Sequence, residues 1–495
     1  MKKLYILIYS CLTLFVLYSC TKDSGNYTYT DINTVSINTS DSVFTIQQLE
    51  RLTINPDLAE SIPDDKNSYS YEWLMFPTQT SNTFVQIENE EAVLLSREKN
   101  LDQIITLPPK LYFIQYTVKN EITGIKSIKR FTVNITAAFH EGWLLMTNVD
   151  NKAKLSFIRR DGNVYLDPLK DYNNITLKGK GLASFTAVTG QIKDIYVFTN
   201  EEISRLTAND FLVSANQNNL FNLFTIPANI ESPFFAISAS SSEQYIIANG
   251  KVHATTNPIF GVSKYSIPFS GQSGKLFPFI FYGETTYISF YDNENKRFLQ
   301  SSFFGRALQT FSNNINNKYD LNNVGKTMVA ADLGAQREFY TIMKDNSNQY
   351  YFYAYNPFTT NQATSFQKIQ NSPEIDKAIS FASSSSIPHI YYATDNKIYL
   401  YDIQSNSSRG PLYEFPSGTK VKMISMYKHK GWGSTAITDP DFNKILVVAA
   451  NTATEGSVYY FRLDPTGNFE NQKFEKVYNG FGQIEHINYR NRNEQ

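Results

Sequence analysis

Seven apolar strand pairs, each bracketing a polar turn, recur between residues 142 and 490, and this repetition constrains the fold more than any other feature of the chain. The first joins Trp143-Leu144-Leu145-Met146 to Lys154-Leu155-Ser156-Phe157-Ile158, and the others begin at Asp194, Gln244, Thr286, Glu338, His389 and Lys444. Turns such as Asp292-Asn293-Glu294-Asn295 and Thr394-Asp395-Asn396 suit tight reversals, because Asp and Asn bond their own backbone. A recurrence of roughly fifty residues matches a four-stranded blade. The pattern predicts a seven-bladed β-propeller over 140–490. Six or eight blades also fit the spacing, and an elongated β-sandwich or β-solenoid would repeat hairpins too.

Residues 27–137 have a different rhythm. Short strands are predicted at 35–37, 44–46, 52–54, 69–74, 111–118 and 129–135, with alternation clearest in Phe113-Ile114-Gln115-Tyr116-Thr117-Val118. About a hundred residues of turn-punctuated strands suggest a sandwich of immunoglobulin type. The expected class is therefore all-β. Aromatic residues at 15% and charged residues at only 18% agree, since aromatic side chains pack well on pleated, half-buried surfaces.

The first residues read as an address. Lys2 and Lys3 precede an apolar run over 4–17, too short to span a bilayer comfortably, and Leu17-Tyr18-Ser19-Cys20 resembles a bacterial lipobox. The resemblance implies a signal peptide over 1–19 and a lipid on Cys20, with Thr21-Lys22-Asp23-Ser24-Gly25-Asn26 as a polar tether over 20–26. Lys22-Asp23 resembles the surface-export signal of Bacteroidetes lipoproteins. The expected location is the outer membrane, lipid-anchored and facing outward.

Tyr69-Ser70-Tyr71-Glu72-Trp73 resembles the Trp-bearing central strand of PKD-type Ig-like domains, and Leu111-Tyr112-Phe113-Ile114-Gln115-Tyr116-Thr117-Val118 resembles a later strand. Together with the lipobox and Gly25-Asn26-Tyr27-Thr28-Tyr29-Thr30-Asp31-Ile32-Asn33, this is similar to the PKD-like lipoproteins of Bacteroidetes. The usual Trp-Asp-Phe-Gly-Asp-Gly run is replaced by Trp73-Leu74-Met75-Phe76-Pro77. Trp73 is expected in the sandwich core.

Chemistry-bearing motifs are sparse. The 2 cysteines are Cys11 and Cys20, so the sequence beyond Cys20 offers no disulfide, thiolate metal site or cysteine nucleophile. A net charge of −1 gives no reason to expect nucleic acid. The five histidines are scattered without ligand spacing, and His253 and His389 read as surface or satisfied residues. Acidic turns at 292–295 and 439–443 read as turns before calcium sites. There is no nucleophile elbow and no Ser-x-x-Lys set, and Asp320 stands where a P-loop before Gly325-Lys326-Thr327 needs its first glycine. Asp41-Ser42-Val43 resembles a short O-glycosylation acceptor. No catalytic residue, metal or cofactor is assigned. The candidate ligand-binding residues are Trp432 and Lys430, in Tyr427-Lys428-His429-Lys430-Gly431-Trp432-Gly433, where an indole freed by flanking glycines stands beside cationic donors.

The resemblance implies a non-enzymatic accessory binding protein serving a TonB-dependent transporter and its lipoprotein lid, capturing glycans or peptides. An extracellular propeller enzyme on glycans or peptides, and a structural subunit of an outer-membrane complex, are the alternatives.

Overall fold

A strand covered on both faces has no solvent side to mark with polar residues, and the seven apolar pairs read as unbroken runs for this reason. In the computed structural model, Gln244–Ala248 is buried throughout, and Gly142–Val149 is buried at all but its last residue. The structure describes residues 31–64, 66–77, 92–189, 192–222, 227–238, 243–255, 264–282, 287–360, 362–428 and 439–491. The chain divides into two units, Met1–Thr136 and Ala137–Gln495.

The second unit is a seven-bladed β-propeller, and each apolar pair supplies the second and third strands of one blade. Blade two runs Gly181–Thr189, Ile192–Thr199, Ile203–Thr207, Val213–Asn216 from its inner strand outward. Blades five, six and seven have the same four-stranded order, beginning at Thr327–Leu333, Ser380–Ser383 and Lys420–Met426. Blade three has three strands, Phe234–Ile237, Gln244–Ala248 and Lys251–Ala254. Blade four pairs Tyr287–Asp292 with Arg297–Ser302 and completes itself with isolated bridges from Leu276, Phe281 and Gln309.

The ring closes through blade one. Its innermost strand is the C-terminal Gln483–Arg490, antiparallel to Gly142–Val149 with Trp143 opposite Tyr489. The last strand therefore joins the first blade, which removes two open edges.

Neighbouring blades pack face to face through shared clusters. Tyr391 and Leu400 of blade six meet Ile424, Val448 and Phe461 of blade seven, and Trp143 and Tyr489 of blade one meet Val447 and Val458 across the closure. Each such fully buried side chain is worth about 1.5–3 kcal/mol relative to exposure.

Amide bridges reinforce three of these junctions. Asn148 receives the Gly181 N–H on Oδ1 (2.8 Å) and donates Nδ2 to the Gly181 carbonyl (3.2 Å). Asn293 does the same with Met328 (2.8 and 3.2 Å), and Asn451 with Ile484 (2.8 and 2.9 Å). Each Asn stands at or beside the end of the second strand of its blade and bonds the backbone at the start of the next inner strand.

The first unit is the expected sandwich. One sheet has the order Val43–Gln47, Lys126–Thr136, Leu111–Asn120, Tyr69–Pro77, Val93–Ser96, and its first pairing is parallel. The pairs Val35–Asn38 with Asp57–Glu60 and Arg51–Ile54 with Leu101–Ile104 contribute to the other side of the core. Trp73 is fully buried, stacks on Tyr116 at 4.0 Å between ring centres, and donates its indole N–H to the Glu98 carbonyl (2.9 Å). The short strands at 57–60, 93–96 and 101–104 carry too little alternation to be legible in sequence.

Candidate ligand pocket

Between blades six and seven lies a recess of about 500 Å³, in the size range of small-ligand sites. Ile387, Pro388 and His389 enter it at the start of the second strand of blade six. Asp402 ends the third strand, Gln404 and Ser405 come from the turn that follows, and Ser407 and Arg409 from the fourth strand, Ser407–Glu414. Pro465 and Thr466 close it from the loop after the third strand of blade seven.

Each polar group is set by local backbone chemistry. Asp402 Oδ1 accepts the Gln404 N–H (2.9 Å) and more weakly that of Ser405 (3.4 Å), an Asx turn that presents the next side chains to the recess. The Ser405 and Ser407 hydroxyls bond each other at 2.9 Å. Arg409 Nη2 donates to the Thr466 carbonyl (2.8 Å), fixing the guanidinium plane. Among the described residues no acceptor engages its other N–H groups.

His389 is half-buried, with one ring nitrogen unsatisfied. Its Nδ1 is buried without a hydrogen-bond partner. That nitrogen lies against Gly467, where φ is +88° and an added Cβ would come within 2.7 Å of it. The Tyr391 hydroxyl, which donates to the Gly467 carbonyl (2.7 Å), holds this loop down. Burial lowers the His389 pKa below the ordinary imidazole value, with Asp402 pulling the other way. The pocket thus offers the Arg409 fork as donor, the open Asp402 oxygen as acceptor, and the His389 imidazole with the amide and hydroxyls of Gln404, Ser405 and Ser407 as groups able to do either.

Trp432 and Lys430 lie outside the described residues, as do His429 and Cys20. The described flanks of 429–438 are structural. Lys428, which read as part of a basic loop, is buried: its ammonium pairs with Asp332 (2.7 Å) and donates to the carbonyls of Ser383 (2.7 Å) and Leu333. It fastens the inner strands of blades five and six to blade seven, and a charge compensated in this way is tolerated in a core. On the other flank, Arg160 pairs with Asp439 (2.7 Å) and lies over the Tyr427 ring, while Tyr427 donates to Asp439 (2.5 Å).

Neither acidic turn is arranged as a cation cage. Asp292 accepts from Ser273, Glu294 and Asn295, and Asp439 from Asp441, Tyr427 and Arg160. Among the described residues no cluster of His, Cys, Asp and Glu has metal-holding geometry. No helix among them is long and apolar enough to cross a membrane.

The geometry defines a β-propeller preceded by an Ig-like sandwich. Residues 20–185 match the PKD-like family, spanning the sandwich and reaching the inner strand of blade two, as the Trp73 strand had suggested. Among solved structures, the chain is similar to a quinonprotein alcohol dehydrogenase-like protein from Bacteroides thetaiotaomicron (14% identity, TM-score 0.47, 92% of this chain and 99% of that one). It is also similar to a DUF4784 family protein from Bacteroides caccae (9%, TM-score 0.32, 75% and 94%). A third is the WD40 domain of SCAP from fission yeast (9%, TM-score 0.35, 62% and 74%). No curated protein matches the chain.

Proposed function

We propose that the protein is a surface-anchored binding lipoprotein, held to the outer membrane through Cys20, that captures glycan or peptide ligands for a TonB-dependent transporter and its lipoprotein lid. The recess between blades six and seven carries this reading: its hydrogen-bonding side chains are borne by strand ends and turns of a closed ring, where a ligand meets a preformed surface. The PKD-like match supports an accessory or binding role, and Leu17-Tyr18-Ser19-Cys20 supports the anchor.

Affinity capture of the full chain from detergent-solubilised outer membranes, with mass spectrometry of the co-purifying proteins, tests the assembly. A TonB-dependent transporter is expected, and Cys20→Ala should move the folded chain to the soluble fraction. Recovery of the chain alone would overturn the transporter partnership, and retention of the Cys20→Ala chain in membranes would overturn the anchor.

A further inference from the structure

We infer that the recess between blades six and seven is a saccharide subsite that takes one or two units of a neutral glycan. This rests on the binding role proposed above and names its ligand chemistry.

The charges in the recess nearly cancel. One guanidinium, Arg409, and one carboxylate, Asp402, line the recess, and its imidazole is held toward the neutral form by burial, so the site as a whole is close to neutral. An anion would gain Arg409 but meet Asp402, and a cation the reverse. A polyol conflicts with neither, because each hydroxyl both donates and accepts. Arg409 supplies donors and Asp402 an acceptor to the same recess.

Rigidity points the same way. Thr466 holds the Arg409 plane, the Asx turn holds Asp402, and Tyr391 holds the loop of blade seven. Fixed groups lower the ordering cost of recognising a small polar ligand with many equivalent hydroxyls. Pro388 and Pro465 give the C–H face of a ring an apolar surface without an aromatic platform. A docked helix is favoured less, because it needs an apolar groove and this recess is lined mainly by polar side chains.

The test is calorimetric titration of the full chain in detergent with maltotriose, xylotriose, mannotriose and cellotriose, beside tri-galacturonate and a neutral tripeptide. At least one neutral trisaccharide should bind. Arg409→Ala and Asp402→Asn should each weaken that binding by about tenfold or more, because each removes a charge-assisted hydrogen bond. Arg409→Lys, which keeps the charge and loses the fork, should fall between. Unchanged thermal midpoints show that the variants remain folded; should either unfold, Gln404→Ala, on an exposed turn, must still weaken binding. Neutral-saccharide binding insensitive to these substitutions overturns the subsite. So does binding of only the uronate or the tripeptide, which leaves the general binding role standing. No binding by any member of the panel overturns the subsite, and it counts against the binding role only when the transporter capture also fails.

Discussion

The junctions between blades three and four and between blades six and seven put the same piece of backbone to opposite uses. Glu243 and His389 occupy equivalent positions, each just before or at the start of a second strand and each accepting a turn N–H through its carbonyl, from Ser238 and Ser384 respectively. Two residues later each blade has a buried tyrosine, Tyr245 or Tyr391, and each position faces the loop after the third strand of the next blade. At blades three and four every group finds a partner. Glu243 accepts from Arg306 (2.7 Å), the Phe304 N–H (3.0 Å) and Tyr245, and Arg306 also donates to the Thr255 carbonyl (2.7 Å). At blades six and seven the imidazole has an orphaned nitrogen and Arg409 a single carbonyl. One junction is a closed staple and the other an open recess, which shows that repeat position fixes where a site can lie and side-chain pairing decides whether one exists.

The sharpest break of this comparison is Glu243→Ala. It strips the half-buried Arg306 guanidinium and the buried Tyr245 hydroxyl of their carboxylate acceptor, and should cost about 2–3 kcal/mol in urea unfolding of the full chain. His389→Ala at the matching position removes no hydrogen bond and should cost far less. Equal losses would abolish the distinction between staple and recess.

Gly467→Ala comes next. The residue has φ of +88°, and its new methyl meets His389 Nδ1, so a loss of about 1–3 kcal/mol is expected together with weakened ligand binding, read by thermal unfolding and titration. An unchanged midpoint would mean that the loop is free to shift away.

The smallest expected effect is on pH dependence. Burial lowers the pKa of both His389 and His253 below 6.5. The unfolded chain therefore binds protons that the folded chain refuses, so stability falls as pH drops from the ordinary imidazole value toward the lowered ones. The difference in urea midpoint between pH 7 and pH 5.5 should shrink in His389→Gln and shrink further when His253→Gln is added. A wild-type midpoint that does not fall on acidification would contradict the burial of both rings.

The legibility of the fold tracks burial strand by strand. All seven central pairs were readable because both faces are covered, whereas the outer strands Val213–Asn216, Ala363–Lys368 and Ser407–Glu414 are largely exposed and polar, and read as loops. Asn148, Asn293 and Asn451 offered an unused signal: an Asn at the end of a central strand, repeated from blade to blade. The candidate site was not legible, because Arg409 and Thr466 are joined only by the packing of blade six against blade seven and His389 is unremarkable in its own segment.

By itself the sequence determined the all-β class, the sandwich around Trp73 and the seven repeated strand pairs, since apolar periodicity and turn residues are local signals. Only the tertiary structure decided that Lys428 is a core staple and that the groove beside His389 is open. Both depend on which side chains from different blades meet, and that follows from packing around a ring and from no local pattern in the chain.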